Sequence, residues 1–186
     1  MNKTIETILN RRSVRKYDPK PIPKDLLDQI IQCGDSGPSG ANARQWRYVV
    51  IQDPALRRKL IERSMPLYKK WLGNMPDNFK AMRAEIDKSY DPIYYGAPVI
   101  VFVIGKGFTS DADCPMACQN MMLAARSLGI GSCWVKIGQL VTADPEVQQS
   151  LEIIEGEKVY GPIILGFPRE GFPQPVNNAP LPITWL

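Results

Sequence analysis

The feature that most limits the possible folds of this chain is a continuous apolar run, Val99–Ile104 (VIVFVI), directly after Gly96-Ala97-Pro98. A short apolar run without alternating polar positions is typical of a strand buried inside a protein. Three other segments also favour strands, namely Tyr48–Ile51, Ser132–Ile137 and Val159–Phe167. We therefore expect four strands, of which Val99–Ile104 is the clearest buried one.

The segments between these strands favour helices. Thr4 is a candidate N-cap for the first helix, and Lys24–Cys33 has helical apolar spacing that Gly34 is expected to end. Further helices are predicted from Asp53-Pro54 to about Lys70, over Pro76–Tyr90, over Asp113–Leu128 and at Asp144-Pro145-Glu146. Because helices and strands alternate irregularly and no repeat occurs, residues 1–186 are predicted to form one α+β domain.

The composition gives no sign of a nucleic-acid or membrane partner. Of the 186 residues, 44% are hydrophobic and 23% are charged, and the net charge is +4. Nucleic-acid-binding proteins concentrate basic residues on one element, whereas most basic residues here lie between acidic ones. No apolar run approaches the roughly 20 residues that cross a bilayer, and a signal-peptide pattern is missing. We expect a cytoplasmic protein.

Histidine is absent from the chain. Its absence excludes a Ser-His-Asp or Cys-His catalytic centre and removes the commonest general base and metal ligand. The cysteines (Cys33, Cys114, Cys118 and Cys133) lack zinc or iron–sulfur spacing, so we expect reduced, buried thiols and no metal site. Any catalysis must use other acids or a cofactor that carries the chemistry itself.

A basic run, Arg11-Arg12-Ser13-Val14-Arg15-Lys16, lies where the first helix should end and the chain should become extended. Alternate side chains of an extended segment point to one side, so Arg11, Ser13 and Arg15 could converge on one anion. Guanidinium groups bind phosphate in a bidentate manner. The alternative is a solvated basic patch, which these residues alone leave open.

Two loops are further candidates for a binding site. Gly37–Trp46 (GPSGANARQW) offers small residues and an amide, Asn42, before a strand; the alternative is an ordinary turn whose Trp46 fills the core. Gly129–Trp134 (GIGSCW) permits close backbone approach, but it leads from a helix into a strand, the reverse of the Rossmann order. A phosphate-binding G-x-x-x-x-G-K-[ST] motif is also missing. Classical dinucleotide and nucleoside-triphosphate folds are therefore not expected.

Taken in chain order, these segments resemble the FMN-dependent nitroreductase family. The matching segments are Arg11–Tyr17 (RRSVRKY), Pro38-Ser39 with Asn42 and Trp46, Gly96-Ala97-Pro98, Asn120–Trp134 (NMMLAARSLGIGSCW) and Gly166-Phe167-Pro168. They span nearly the whole chain, and their ordered combination is more specific than any one motif. The resemblance implies a three-layer α+β fold, with a central, mostly antiparallel sheet flanked by helices, in an intertwined homodimer.

The resemblance also implies two FMN sites at the dimer interface. Arg11 and Ser13 would hold the FMN phosphate with Arg12 nearby, and Arg15 would lie by the N1–C2 carbonyl edge of the flavin. The backbone of Val135, Lys136 and Ile137 would face flavin N5 and O4. Pro38, Ser39 and Asn42 would come from the other subunit. The apolar tail, about residues 168–186, would pack on the partner.

The chain is short for the family, and it departs from the family pattern at two places. Arg44 stands where the family commonly has a glutamine near the flavin. A basic residue usual in the tail is missing from Pro175–Pro180, and Arg169 is the nearby substitute. Both arginines are therefore included among the expected cofactor-binding residues.

The function implied by the resemblance is electron transfer from NAD(P)H, through FMN, to nitroaromatic, quinone or similar small-molecule acceptors. Donor and acceptor would use the same flavin face in turn, in a ping-pong scheme. No protein side chain is expected to be catalytic, because the flavin carries the chemistry. One alternative is a flavin-binding protein of the same fold without NAD(P)H turnover, serving storage, sensing or other flavin chemistry. A basic-patch module for nucleic acid is a more distant alternative.

Overall fold

The strands pair into one antiparallel sheet. A computed structural model describes residues 1–175 and 179–186. The strands are β1 (Trp46–Ile51), β2 (Val99–Lys106), β3 (Gly131–Trp134) and β4 (Glu157–Gly166). Their order across the sheet is β1-β2-β4-β3, and every neighbouring pair is antiparallel. A strand is thus present at each of the four predicted places.

Helices cover both faces of this sheet. They are α1 (Lys3–Asn10), α2 (Lys24–Asp35), α3 (Pro54–Gly73), α4 (Asp77–Arg83), α5 (Ser110–Ser127) and α6 (Pro145–Ser150). Short 3-10 helices span Gly40–Asn42, Ile86–Lys88 and Lys136–Ala143. The last of these is called the 136–143 segment below.

Strand β2 divides the hydrophobic core in two. The side chains of Ile100, Phe102 and Ile104 pack with α3, and those of Val99, Val101 and Val103 pack with α2 and α5. Alternate residues of a strand face opposite sides, so an uninterrupted apolar run supplies both cores. The predicted three-layer α+β fold is therefore confirmed.

Two helix boundaries differ from the prediction. Asn2, not Thr4, caps α1, because the Asn2 side chain accepts a hydrogen bond from the Thr4 backbone N–H. Gly34 lies inside α2 rather than after it. A Cβ atom at Gly34 would lie 2.8 Å from Cγ of Met121, so this glycine allows α2 and α5 to pack closely.

Two other predicted elements are wrong in extent. The single helix expected over Pro76–Tyr90 is divided into α4 and the 3-10 turn Ile86–Lys88. The strand expected over Ser132–Ile137 ends at Trp134. The Val135 N–H still bonds the Pro162 carbonyl of β4, and the 136–143 segment begins to coil at the next residue. Lys136 and Ile137 therefore lie on a 3-10 helix.

The cysteines are free thiols, as predicted, but Cys33 is exposed rather than buried. Burial raises the pKa of the Cys114 thiol to about 12, which makes it a poor nucleophile at neutral pH. Within residues 1–175 and 179–186, no cluster of three or more cysteine and carboxylate side chains is placed to hold a metal ion. In that part of the chain, no helix combines the length and apolar character that crossing a bilayer requires.

Candidate functional site

The basic run is held in an extended conformation along the edge of the sheet. Val14 N–H donates to the Ser132 carbonyl at 3.0 Å, and Arg169 N–H donates to the Lys16 carbonyl at 3.1 Å. Ser13 and Ser132 form a parallel bridge, which places Arg15 level with the end of β3. The backbone thus brings Arg169 to the basic run, although the two are far apart in sequence.

Lys16 of the basic run pairs with Glu170 at 2.9 Å, whereas the arginines around it have no such partner in the described part of the chain. Val14 is buried in the core, whereas Arg11 and Ser13 are half-buried and Arg15 is exposed. Among the described residues, no carboxylate forms an ion pair with Arg11, Arg15 or Arg169. Positive groups left without carboxylates at one place favour an anionic ligand.

Arg12 supplies a specific sign that this site is incomplete. Its Nη1 donates to the carbonyls of Leu9 and Arg11, at 3.1 and 2.7 Å. Its Nε is buried and has no hydrogen-bond partner within the described part of the chain. A buried guanidinium N–H without an acceptor is costly, so a bound anion would satisfy a donor that the protein leaves open.

Tyr95 lies beneath Arg15. The Arg15 guanidinium is 5.8 Å from the Tyr95 ring centre, within cation–π distance. Tyr95 has a positive φ of 58°, and Asp91 holds this turn by accepting the Gly96 N–H at 2.9 Å. Burial raises the pKa of the Asp91 carboxyl, and backbone N–H donors, led by that of Gly96, act against this shift. Arg15 and Tyr95 line a cavity of about 510 Å³.

A second cavity, of about 570 Å³, lies beside the 136–143 segment and is called the α3–α4 cavity. Trp71 of α3, Phe79 and Arg83 of α4, and Lys136 and Ile137 of the 136–143 segment contribute to its lining. The first N–H groups of a 3-10 helix have no acceptor inside that helix. Such donors at Lys136 and Ile137 could therefore bind an acceptor atom of a ligand.

Arg83 connects the two cavities. It is buried, and its Nη1 donates to the Tyr95 hydroxyl at 3.2 Å, while its Nη2 donates to the Pro92 carbonyl at 2.6 Å. Its Nε donates to the Tyr68 hydroxyl at 2.6 Å. Burial raises the pKa of Tyr68 to about 12, so its hydroxyl stays protonated and donates to Asp87. These bonds tie α4 to the turn that carries Tyr95.

The loop with Pro38, Ser39, Asn42 and Arg44 lies elsewhere. Gly40 N–H donates to Asp113 Oδ1 at 3.3 Å, which attaches the loop to the first turn of α5. Asn42 and Arg44 have positive φ values of 55° and 50°, and the Ser39 hydroxyl accepts the Arg44 N–H at 3.2 Å. The Arg44 side chain reaches Asp35 at 3.8 Å.

The two groups of expected site residues therefore lie at opposite ends of α5. The basic run adjoins β3, which follows the last turn of α5, and the Pro38–Arg44 loop adjoins the first turn. At 1.5 Å per residue, Asp113 and Ser127 are about 21 Å apart along the helix axis. One chain brings Arg11, Arg12, Ser13, Arg15, Arg169 and the 135–137 backbone to one sheet edge, but not the loop.

Sequence reasoning missed the residues that shape the cavities: Trp71, Phe79, Arg83 and Tyr95. The signal that could have found Tyr95 is the Tyr94-Tyr95 pair before Gly96, because aromatic residues in a tight turn are candidates for ligand contact. Arg83 gave no comparable signal, since a buried arginine cannot be told from a surface one by sequence alone. The alternative interpretation of the Gly37–Trp46 loop is a turn whose Trp46 fills the core. The Trp46 indole is half-buried, and it donates a hydrogen bond to the Tyr48 hydroxyl at 2.7 Å.

Known proteins are similar to this chain in sequence and in fold. A protein from Methanothermobacter thermautotrophicus, provisionally named NADH dehydrogenase/NAD(P)H nitroreductase, is 30% identical over 89% of this chain and 78% of its own length. A nitroreductase with bound FMN from Bacteroides fragilis is 34% identical, with a TM-score of 0.79 and full coverage of both chains. The iodotyrosine deiodinase of Danio rerio is 29% identical over 87% of this chain and 59% of its own length.

A family model described as the Nitroreductase family matches residues 8–167. This match includes the basic run, the Pro38–Arg44 loop, the whole sheet and the 136–143 segment. The fold, the sequence and the ordered segments agree. The chain belongs to the Nitroreductase family.

Proposed function

We propose that this protein is an FMN-dependent oxidoreductase that passes reducing equivalents from NAD(P)H to nitroaromatic, quinone or similar acceptors. The observation that carries the proposal is the group of arginines at the sheet edge, which has no carboxylate partners in the described chain and leaves Arg12 Nε without an acceptor. A phosphate monoester supplies the charge and acceptor oxygens that this group lacks. The FMN-bound Bacteroides fragilis relative supports the choice of FMN.

Each expected residue has a role consistent with its position. Arg11 and Ser13 hold the phosphate, and Arg12 and Arg169 add positive charge beside it. Arg15 would hold the N1–C2 edge of the flavin, where its cation would favour negative charge on the ring. This position agrees with its place at the end of β3, above Tyr95.

The backbone after β3 binds the opposite edge of the ring system. The N–H groups at the start of the 136–143 segment, next to the α3–α4 cavity, would hold N5 and O4 of the flavin. FMN, when bound, supplies hydride chemistry, so the absence of histidine is no obstacle. The donor and the acceptor occupy this cavity in turn, which gives ping-pong kinetics.

A homodimer completes the site. Pro38, Ser39, Asn42 and Arg44 cannot reach the basic run of their own chain, since about 21 Å of α5 separates the two groups. A second copy can bring its loop to the first copy's arginines. Apolar side chains are available for that contact: Ile5, Ile8 and Leu9 on α1 are 51%, 49% and 54% exposed.

The tail provides further apolar contact surface for the partner. Leu181 and Trp185 are 84% and 87% exposed, which is unusual for large apolar side chains outside an interface. Residues 176–178 of the predicted partner-binding tail lie outside the described residues. Cytoplasmic localisation also stays a prediction.

One observation favours a second candidate, a flavoprotein without NAD(P)H turnover. Arg44, which replaces the usual glutamine, lies 3.8 Å from the Asp35 carboxylate. The relatives also include an iodotyrosine deiodinase, so the family is not confined to nitroreductases.

Steady-state NAD(P)H oxidation by flavin-loaded protein, with menadione or a nitrofuran as acceptor, separates the two candidates. The proposal predicts turnover with parallel lines in double-reciprocal plots, the kinetic pattern of a ping-pong enzyme. Loaded protein that oxidises no NAD(P)H with any of these acceptors would favour the second candidate.

A further inference from the structure

The α3–α4 cavity has aromatic and apolar walls. On one side the Trp71 and Phe79 rings meet edge to face, with centroids 5.5 Å apart and planes at 85°, and the Tyr68 ring stacks behind Trp71. Ile137 and Leu140 lie on the other side. A volume of about 570 Å³ suits a small organic molecule, and aromatic walls favour a flat ring.

The charged groups of the cavity are both cations. Arg83 and Lys136 line it, and within the described residues no aspartate or glutamate does. The Arg83 charge is already compensated, because Arg83 Nε lies 3.4 Å from Asp87 Oδ1 and its other nitrogens donate inside the protein. Over the same described ranges, no carboxylate lies within ion-pair distance of Lys136 Nζ.

Lys136 lies at the boundary between two cavities. It is exposed and lines both the α3–α4 cavity and a neighbouring polar cavity of about 400 Å³, whose lining also includes Asp111 and Glu157. A ligand whose ring lies between the apolar walls could therefore direct a charged substituent outward to the Lys136 ammonium. The backbone of the same residue is expected beside the reactive edge of the flavin, so this ring would lie within reach of it.

We infer that the α3–α4 cavity selects flat aromatic acceptors that carry an anionic substituent, with Lys136 as the specificity-determining cation. This inference rests on the proposed function, because it concerns the acceptor of the same reaction. It goes beyond that function by naming a substrate class: aromatic acids in preference to their neutral amides.

The test compares 4-nitrobenzoate with 4-nitrobenzamide in the flavin-loaded enzyme, using the ratio of their kcat/KM values. The two compounds differ in intrinsic reactivity, but this difference cancels when one ratio is compared between variants. Lys136→Met keeps much of the side-chain length and removes the charge, and Lys136→Arg restores the charge. Lys106→Met removes an exposed lysine that does not line this cavity, so it controls for net charge.

We expect Lys136→Met to lower the acid-to-amide ratio about two- to fivefold, the effect of one partly solvated ion pair. Lys136→Arg should restore the ratio, and Lys106→Met should leave it unchanged. An unchanged ratio in Lys136→Met, with both compounds still reduced, would overturn the inference and leave the proposed function intact. A raised KM for NAD(P)H without a change in the ratio would also overturn it, because the lysine would then serve the donor.

A binding measurement keeps the test independent of turnover. Calorimetry uses naphthalene-2-carboxylate and naphthalene-2-carboxamide, neither of which accepts electrons readily. The wild type should bind the acid more tightly than the amide, and Lys136→Met should bind the two with similar affinity. Equal affinity for both compounds in the wild type would refute the preference. If NAD(P)H fails to reduce the bound flavin while the acid still binds more tightly, the proposed function fails and the preference stands.

Discussion

Replacing Arg11 with alanine should weaken FMN binding about 10- to 150-fold. One charge-assisted contact to a phosphate contributes about 1.5–3 kcal/mol, and each 1.36 kcal/mol changes a binding constant about tenfold. Arg11 forms no ion pair among the described residues, so its removal breaks no internal salt bridge. The backbone bond from Val14 N–H to the Ser132 carbonyl should keep the segment in place.

The assay is a titration of flavin-free protein with FMN, followed by flavin fluorescence at moderate salt. Arg58→Ala is the matched control, because Arg58 is an exposed arginine of α3 that has no carboxylate partner among the described residues. Thermal unfolding and sedimentation should show that both variants stay folded and keep the wild-type oligomeric state. If Arg11→Ala binds FMN within about twofold of the wild type, Arg11 does not hold the phosphate.

Three further predictions follow from the same geometry. If one site uses Arg11 of one chain and Asn42 of the other, an equal mixture of Arg11→Ala and Asn42→Ala subunits should recover about a quarter of the FMN sites, since about half of the dimers are heterodimers and each heterodimer carries one intact site of two. Gly131→Ala should lower both stability, by about 1–3 kcal/mol, and FMN affinity, because its Cβ would lie 2.8 Å from Val14 Cβ in the basic segment. Glu157→Gln should lower the free energy of unfolding by about 1–3 kcal/mol at pH 7, measured by urea unfolding. The variant should also lose less stability than the wild type as the pH falls.

The sign of the last effect follows from the pKa of Glu157. Hydrogen bonds from Arg47 hold this pKa below its usual value. The stabilisation is therefore complete above the unfolded pKa of about 4.3 and is lost as pH falls through the lower folded pKa. If Glu157→Gln lost stability in acid as steeply as the wild type, the Arg47–Glu157 pair would not contribute to the pH dependence of stability.

The other two predictions have their own controls. Gly73→Ala is the control for Gly131→Ala, since a Cβ at Gly73 would meet no atom within 4 Å. If Gly131→Ala lost stability but kept full FMN affinity, the position of the basic segment would not matter for binding. Mixed subunits that recover no FMN would contradict a site shared between two chains.

The sheet could be predicted from sequence because its strands are apolar runs bounded by turn residues. Val99–Ile104 supplies both cores, and this is visible as an absence of polar alternation. The end of β3 could not be predicted, since Val135 and Ile137 continue the apolar pattern although the chain coils into a 3-10 helix from Lys136. Gly34 was misassigned for a similar reason, because a glycine that allows close packing looks like one that ends a helix.

The sequence predicted the charged residues of the candidate site, but it did not predict the residues that line its cavities. The Arg11–Lys16 run is local in sequence, whereas Arg169 joins it only through a backbone bond across the sheet edge. Trp71, Phe79 and Arg83 surround a cavity because α3 and α4 pack beside the 136–143 segment. Contacts between residues that are far apart in the chain produce no periodic pattern in a single sequence.

The central claim, an FMN-dependent NAD(P)H oxidoreductase, is tested most directly by the visible absorption spectrum of the purified protein before and after anaerobic addition of NAD(P)H. The account predicts flavin bands that bleach when NAD(P)H is added and return when a nitroaromatic or quinone acceptor follows. Flavin bands that NAD(P)H does not bleach would favour the flavoprotein without NAD(P)H turnover. A colourless protein that also fails to bind added FMN would contradict the central claim.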